Sequence, residues 1–210
     1  MMKSKAWLPY VVPMGIYSVF LLMQTNTNLL WLYPAKVVAV AAALIYFRKE
    51  YEELRPGFSL LAVVVGLVAI AIWIGIDSLY PKFGSGAAFD PSAISSLTQR
   101  NMFLAFRVVG AVIVVPVMEE LFWRAFLIRW LVKEDFKSVS VGTFTGLSFV
   151  VTVALFGLEH NEWLAGLICG ALYNWLYYKR KDVFACVIAH AVSNAALAAW
   201  VLARGDWKFW

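Results

Sequence analysis

Charge is scarce in this sequence of 210 residues, since only 15% of them are Asp, Glu, Lys or Arg, against about 25% in a typical soluble domain. The chain has two cysteines and two histidines, and no Cys-x-x-Cys pair. These shortages exclude a disulfide-stapled scaffold and a zinc finger. Apolar side chains are abundant instead and make up 62% of the chain. This composition excludes intrinsic disorder and predicts a membrane protein.

The apolar residues fall into seven long runs. A helix needs about 20 mostly apolar residues to cross the hydrocarbon core of a bilayer. We therefore predict an all-α, polytopic membrane protein that forms a single integral membrane domain over residues 1–210. The predicted spans are 6–23, 29–47, 58–80, 102–132, 143–159, 163–178 and 183–203. Pro116 lies inside the fourth run, which is longer than one span needs, so we expect this helix to kink there or to tilt strongly.

The distribution of lysine and arginine predicts the orientation. Loops on the N-terminal side of the membrane hold eleven of these residues, and loops on the other side hold four. Basic loops stay in the cytoplasm, so we expect a multi-pass protein of the cell (inner) membrane with a cytoplasmic N-terminus. The basic residues then contact anionic lipid, and no nucleic-acid partner is predicted. The eleven are Lys3, Lys5, Arg48, Lys49, Arg55, Arg129, Lys133, Lys137, Lys179, Arg180 and Lys181, and the four are Lys82, Arg100, Arg204 and Lys208.

Ionisable side chains inside apolar runs are costly and mark functional sites by default. Glu120 and Arg124 are four residues apart, so they can pair on one helix face. Glu119 lies about 100° around the helix from Glu120 and is free to face a reacting atom. The other candidates are His160, with Glu159 and Glu162 beside it, and His190. Glu159 and Glu162 flank a short turn, and at least one of them is expected to be interfacial.

Two further pairs share the four-residue spacing. His190 and Asn194 offer N–H donors on one face, and two such donors aimed at one point can hold a developing oxyanion. Phe156 can form a pocket wall beside the imidazole of His160. A carboxylate and an imidazole from different helices can activate a water molecule. Together these groups have the chemistry of amide hydrolysis.

Other interpretations of these residues stay open. The Glu-Glu-x-x-x-Arg run also fits a salt-bridged helix face, and His190 with Asn194 also fits helix–helix hydrogen bonding. Intramembrane Glu, Arg and His build proton and ion pathways, so a non-catalytic transporter or binding protein is the main alternative. A serine protease using Ser193 or Ser148 is another, although neither lies in a Gly-x-Ser-x-Gly elbow. Arg107 is expected to snorkel toward the membrane surface.

In this order, the three motifs resemble those of the CPBP family of intramembrane proteases. That family includes the type II CAAX prenyl endopeptidases and the Abi proteins of bacteriocin processing or immunity. The chain is also somewhat similar to CAAX-protease-like proteins associated with exosortase sorting systems. The resemblance covers about residues 102–203, which we take as the catalytic core. The motifs are Glu119-Glu120-Leu121-Phe122-Trp123-Arg124, Phe156-Gly157-Leu158-Glu159-His160 and His190-Ala191-Val192-Ser193-Asn194.

The resemblance implies a fold of about seven to eight transmembrane helices around a polar intramembrane cavity. It implies that Glu119 and His160 activate the hydrolytic water and that His190 and Asn194 form the oxyanion site. Glu120 and Arg124 would support and orient the first motif. The implied substrate is a peptide or protein: a prenylated C-terminus, a leader peptide or a sorting tail.

The resemblance also implies a glutamate-based mechanism with no metal cofactor. From the residues alone, two histidines and a glutamate could bind zinc, but the chain lacks the His-Glu-x-x-His signature.

The predicted span boundaries contain one conflict. They place His160 and His190 toward opposite faces of the membrane, with Glu119 between them. One active site needs all three side chains at the same depth. We therefore expect either a boundary that is several residues off or a shallow hairpin over 143–178.

Overall fold

The structure is a computed structural model that describes residues 5–25, 27–83 and 89–210. In these ranges the chain forms seven long helices, and no described residue lies in a β-strand. The prediction of an all-α chain is confirmed, and each predicted run corresponds to one helix. The helices are α1 (Leu8–Met23), α2 (Leu29–Tyr46), α3 (Leu60–Gly75), α4 (Leu97–Val132), α5 (Gly146–Leu158), α6 (Trp163–Arg180) and α7 (Val183–Arg204).

Three of the helices, α2, α4 and α7, are long and apolar enough to cross a membrane. Helices α1, α3 and α5 are apolar but shorter. The chain is thus a helical membrane protein. Its seven long helices agree with the seven predicted runs, but seven to eight spans are not established by length and composition.

Local capping determines where several helices begin. Ser59 accepts a hydrogen bond from the N–H of Ala62 at 3.2 Å, so α3 starts later than the predicted run. The Thr145 hydroxyl likewise accepts a hydrogen bond from the N–H of Ser148 at 3.2 Å, and α5 begins at Gly146. Capping side chains satisfy N–H groups that the first helical turn leaves free. Both helices are therefore shorter than their apolar runs.

Helix α4 is continuous over 36 residues despite Pro116. Proline has no N–H to donate and its ring crowds the preceding turn. Two π-helical stretches, Gly110–Val114 and Leu121–Leu127, lie on either side of the proline. Such wide turns often occur at functional sites. The second stretch contains Arg124 and directly follows Glu119 and Glu120.

Glycines allow the helices that carry the motifs to approach closely. A Cβ on Gly66 of α3 would overlap the carbonyl oxygen of Ala189 in α7. A Cβ on Gly166 of α6 would lie 3.0 Å from the backbone of Gly157 in α5. These contacts bring α3 onto α7 and close the α5–α6 hairpin, and His160 and His190 are carried by these elements.

The loops that are richest in lysine and arginine meet at one end of the bundle, which we call the basic end. Arg129 at the end of α4 pairs with Glu53 of the α2–α3 loop. Lys137 lies 3.9 Å from Glu50 of the same loop. The hydroxyl of Tyr51 donates to the carbonyl of Pro9 at 2.7 Å, which brings the start of α1 to this end. Lys3 lies outside the described residues.

The opposite end, which we call the Asp77 end, is held by a smaller ionic cluster. Asp77 follows α3 and lies 2.7 Å from Lys82 and 2.9 Å from Lys208. Burial opposes ionisation of its carboxyl, but the hydrogen bonds from the two lysines outweigh burial and lower the pKa of Asp77. Trp163 at the start of α6 donates to the carbonyl of Pro81 at 2.8 Å. The loops that the lysine and arginine distribution assigned to the same side of the membrane therefore contact one another at the same end of the bundle.

We expect Gly66→Ala to destabilise the protein by about 1–3 kcal/mol, because the added methyl group meets backbone that cannot move without separating α3 from α7. The matched control is Gly75→Ala in the same helix, where a Cβ meets nothing within 4 Å. Thermal unfolding in detergent measures both. Equal unfolding temperatures for the two variants would contradict this account of the contact.

Candidate active site

A cavity of about 230 Å³ lies among α3, α4, the α5–α6 turn and α7. The four residues predicted as catalytic all line it, and so does the predicted wall residue. They are Glu119, His160, His190, Asn194 and Phe156. Glu120 and Arg124 are fully buried behind the wall, with 0% and 1% exposure. The three sequence motifs therefore meet at one site.

The two histidines lie close to the same aromatic ring. The ring centroid of Phe156 is 5.0 Å from that of His160 and 6.2 Å from that of His190. Helix α5 has only 13 residues, which is about 20 Å of helix and too short for a hydrocarbon core of about 30 Å. Helix α5 by itself is thus too short to cross, and because the two imidazoles lie beside one ring, the depth conflict in the predicted spans disappears.

One buried carboxylate joins α4 to α7. Arg124 Nη1 donates to Glu120 Oε1 at 3.2 Å, as the four-residue spacing predicts. His190 Nδ1–H donates to the same oxygen at 3.0 Å, a contact that the sequence did not predict. Arg124 also donates to the carbonyl of Gly170 in α6 at 3.4 Å. Glu120 thus orients both a neighbour on its own helix and an imidazole from another.

The predicted oxyanion donors are both anchored. With Nδ1 of His190 engaged by Glu120, its Nε2 remains for the cavity, and the ring stacks on Tyr173 at 5.4 Å. Asn194 Nδ2 donates to the carbonyl of Ala111 in α4 at 2.8 Å. An amide nitrogen carries two hydrogens, so Asn194 keeps one N–H for a second acceptor. The contact with Ala111 therefore holds the amide in place while one donor remains.

Glu119, Glu159 and His160 form a compact group. One ligand atom from each lies within 4.8 Å of the other two. The Glu119 carboxylate is 5% exposed, and its Oε2 has no hydrogen-bond partner in the described structure. His160 Nδ1 is 2.7 Å from the carbonyl of Phe156. A carbonyl can only accept, so Nδ1 carries the proton and Nε2 of the neutral ring is a free acceptor.

The sequence placed Glu159 and Glu162 beside His160 but did not assign either acid to the site, because both flank one turn and periodicity does not separate an interfacial acid from one that faces the site. In the structure Glu162 lines the cavity, and Glu159 is exposed but joins Glu119 and His160.

The same group is the part of the described structure that could hold a metal ion. A histidine and two glutamates suit zinc, which binds imidazole nitrogen and carboxylate oxygen. The set differs from the two histidines and one glutamate considered from the sequence. His190 does not belong to this group, and its Nδ1 is bound to Glu120.

The two serines considered as nucleophiles have other partners. Ser193 lines the cavity, but its hydroxyl donates to the main-chain carbonyl of His190 at 2.8 Å and lies 2.7 Å from the hydroxyl of Tyr173. The Ser148 hydroxyl bonds within the capping turn of α5. Neither hydroxyl contacts an imidazole nitrogen in the described structure. Neither serine is therefore activated as a nucleophile by a histidine, which argues against the serine-protease hypothesis.

Arg107, which was expected to snorkel toward the membrane surface, is partly exposed. It lines the cavity, and its guanidinium carbon lies 4.7 Å from the ring centroid of Tyr33 and 5.5 Å from that of Trp210. An arginine can stack on aromatic faces. This placement could not be predicted from the sequence, because Tyr33 and Trp210 are far away along the chain.

Residues 101–196 match a family model described as type II CAAX prenyl endopeptidase Rce1-like. The matched region, slightly less than half of the chain, is similar to the Rce1-like family. The match contains all three motifs and lies almost entirely within the predicted core of 102–203. No curated protein and no solved structure matches the chain. The Rce1-like family is a protease family, so the match supports a CAAX protease-type function.

We expect Arg124→Met to destabilise the protein by about 3–5 kcal/mol, because it leaves the buried Glu120 carboxylate without its cation. The matched control is Arg204→Met, since Arg204 stacks on Trp200 at the exposed end of α7. Thermal unfolding of both variants in detergent is the measurement. If Arg124→Met unfolds at the same temperature as the control, the ion pair contributes no stability.

Proposed function

We propose that this protein is an intramembrane endopeptidase that hydrolyses a peptide bond near the membrane surface. The match of residues 101–196 to a protease family supports the reaction class. The observation that carries the proposal is that Glu119, His160, His190 and Asn194 come from three separate elements, the last two from α7, and line one cavity. Convergence of a base and two donors on one point is what amide hydrolysis needs.

In the first step, a water molecule lies between Glu119 Oε2 and His160 Nε2. Both atoms are free acceptors, so both can hold the water by its hydrogens. The water oxygen attacks the carbonyl carbon of the scissile bond, and its proton passes to the Glu119 carboxylate. Burial of Glu119 keeps bulk water from competing for this position.

In the second step, the carbonyl oxygen becomes an oxyanion in the tetrahedral intermediate. His190 Nε2–H and the second N–H of Asn194 donate to it. Donors that are oriented before the reaction stabilise such charge without reorganisation. Here Glu120 orients the imidazole and the carbonyl of Ala111 orients the amide.

In the last step, the carbon–nitrogen bond breaks. The proton that Glu119 took from the water passes to the leaving amine, and the new carboxyl group keeps the water oxygen. Glu119 returns to the carboxylate form.

No metal takes part in these steps. A zinc-dependent mechanism is the alternative to be tested, because Glu119, Glu159 and His160 have suitable ligand atoms. The substrate is a peptide or protein segment in the bilayer: a prenylated C-terminus, a leader peptide or a sorting tail. The protein is expected to be a multi-pass protein of the cell (inner) membrane with its N-terminus in the cytoplasm.

We expect Glu119→Gln and His160→Ala each to lower turnover by about 10²- to 10⁴-fold, because each removes an acceptor of the hydrolytic water. Purified protein in detergent is incubated with a pool of internally quenched peptides, and mass spectrometry identifies the products. The matched control is Glu134→Gln, an exposed acid beyond the end of α4. It keeps wild-type turnover.

Three results would contradict the proposal. Wild-type turnover in Glu119→Gln would exclude this glutamate as the base. Stoichiometric zinc in active protein, with loss of turnover on chelation by 1,10-phenanthroline, would replace the metal-free mechanism with a zinc-dependent one. Proton-coupled flux without cleavage, lost in Glu119→Gln, would favour the transporter alternative.

A further inference from the structure

The cavity has two chemically different sides. Every charged side chain and both histidines that line it in the described structure belong to the matched region, residues 101–196. Eight further lining residues lie outside that region, and none of the eight is charged: five are aromatic and three are aliphatic. We call the five aromatic residues the aromatic wall. They are Tyr17 of α1, Tyr33 of α2, Trp73 of α3, and Phe209 and Trp210, which follow α7.

Two cations hold three rings of the aromatic wall in place before any substrate is present. The ammonium of Lys36, which is 2% exposed, lies 4.6 Å from the ring centroids of both Tyr17 and Tyr33. The guanidinium carbon of Arg107 lies 4.7 Å from the centroid of Tyr33 and 5.5 Å from that of Trp210. A cation within about 6 Å of a ring centroid is attracted to the face of the ring. The rings are thus ordered in advance, and a site that is ordered in advance binds its ligand more tightly.

Two of the rings, Phe209 and Trp210, reach the cavity through a turn at the end of α7. Gly205 ends the helix with a φ of +67°, a left-handed conformation that glycine adopts without strain. The chain then turns back, and the ammonium of Lys208 lies 2.9 Å from the carboxylate of Asp77, which follows α3. This ion pair places the two rings in the lining of the cavity.

The aromatic wall lies next to the groups that are proposed to react. The ring centroid of Trp73 is 5.3 Å from that of His160, and the ring planes are 79° apart. Rings at such distances attract one another in an edge-to-face arrangement. A dry cavity of about 150 Å³ is large enough to bind benzene, and this cavity has about 230 Å³. It therefore has room for one aromatic ring beside the peptide group that is cleaved.

We propose that the aromatic wall binds an aromatic side chain of the substrate and thereby selects the peptide bond that is cleaved. The proposal rests on the proposed function and identifies the residue of the substrate that directs it. This residue flanks the scissile bond, because the aromatic wall contacts the imidazole that holds the hydrolytic water.

Other kinds of side chain fit the aromatic wall less well. A lysine or arginine of the substrate is repelled by Lys36 and Arg107, which already contact the same rings. A leucine buries apolar area but lacks the additional attraction between aromatic rings. An alanine leaves most of the cavity empty. Aromatic residues are therefore preferred over all of these.

Mapping of cleavage sites tests the proposal. The purified protein is incubated in detergent with a pool of peptides, and mass spectrometry locates each cut. We expect Phe, Tyr or Trp at one fixed position directly beside the cut. In a peptide that is cleaved well, we expect replacement of this residue by Ala to lower kcat/KM by about 10- to 100-fold. Replacement by Leu should lower it by about 3- to 10-fold, and replacement by Lys at least as much as Ala.

Substitutions in the aromatic wall should change this preference. Trp210→Ala is expected to remove most of the discrimination between the Phe and Ala peptides, because Trp210 belongs to the wall and has no proposed part in the chemistry. Trp73→Ala should also lose it, whereas Trp73→Phe keeps a ring at the wall and should retain it. The matched control is Trp175→Ala, since Trp175 is 47% exposed on α6 and does not line the cavity. It keeps the wild-type preference.

Two results of these experiments would overturn the proposal. One is a set of cuts without an aromatic residue at a fixed flanking position, or with a preference for Leu or Lys there. The other is unchanged discrimination in both Trp73→Ala and Trp210→Ala.

A binding measurement separates failure of this proposal from failure of the proposed function. Fluorescein-labelled peptides of Ala and Ser with either Phe or Ala at the centre are titrated with the Glu119→Gln protein, and fluorescence anisotropy gives each Kd. Tighter binding of the Phe peptide that is lost when Trp210→Ala is added supports the aromatic wall. If the wild-type protein also cleaves nothing, the proposed function alone fails. Equal affinity for the two peptides would overturn the proposal.

Discussion

The arrangement of the site depends on the buried carboxylate of Glu120. Removing an ion from water costs several kcal/mol, and only close partners offset that cost. Arg124 and His190 both bond to one oxygen of Glu120, and Arg124 also reaches the carbonyl of Gly170. A single charge therefore connects α4, α6 and α7. It also leaves Nε2 of His190 as the ring atom that remains for the cavity.

The neighbouring glutamates have different environments because of helical geometry. Glu119 and Glu120 are about 100° apart around α4, so one faces the cavity and the other faces the packed interior. The buried glutamate has an arginine and a histidine beside it, whereas Oε2 of the cavity glutamate has no partner in the described structure. The π-helical stretch after this pair contains Arg124 and aligns the cation with its acid. An acceptor for water and a structural ion pair thus come from adjacent residues.

The two ends of the bundle differ in their packing as well as in their charge. The basic end is packed with aromatic rings, while the cavity extends toward the Asp77 end. The short α5 helix ends beside the cavity, and contacts at Gly66 and Gly166 hold the surrounding helices close enough for their side chains to meet. The turn after α5 lies against the loop that follows α3, where the N–H of Phe83 donates to the carbonyl of Asn161, and His160 and His190 lie beside the same Phe156 ring.

The sequence by itself determined the seven helices, the unequal ends and the list of reactive side chains, because apolar runs, basic loops and four-residue spacing are local properties. It also predicted that Glu120 pairs with Arg124, since both lie on one helix face. Only the tertiary structure decided that His190 shares Glu120, that Glu159 joins Glu119 and His160, and that Arg107 faces the cavity. These contacts join residues far apart in the chain or choose between adjacent acids. Packing between helices determines them, and no single run of sequence contains that information.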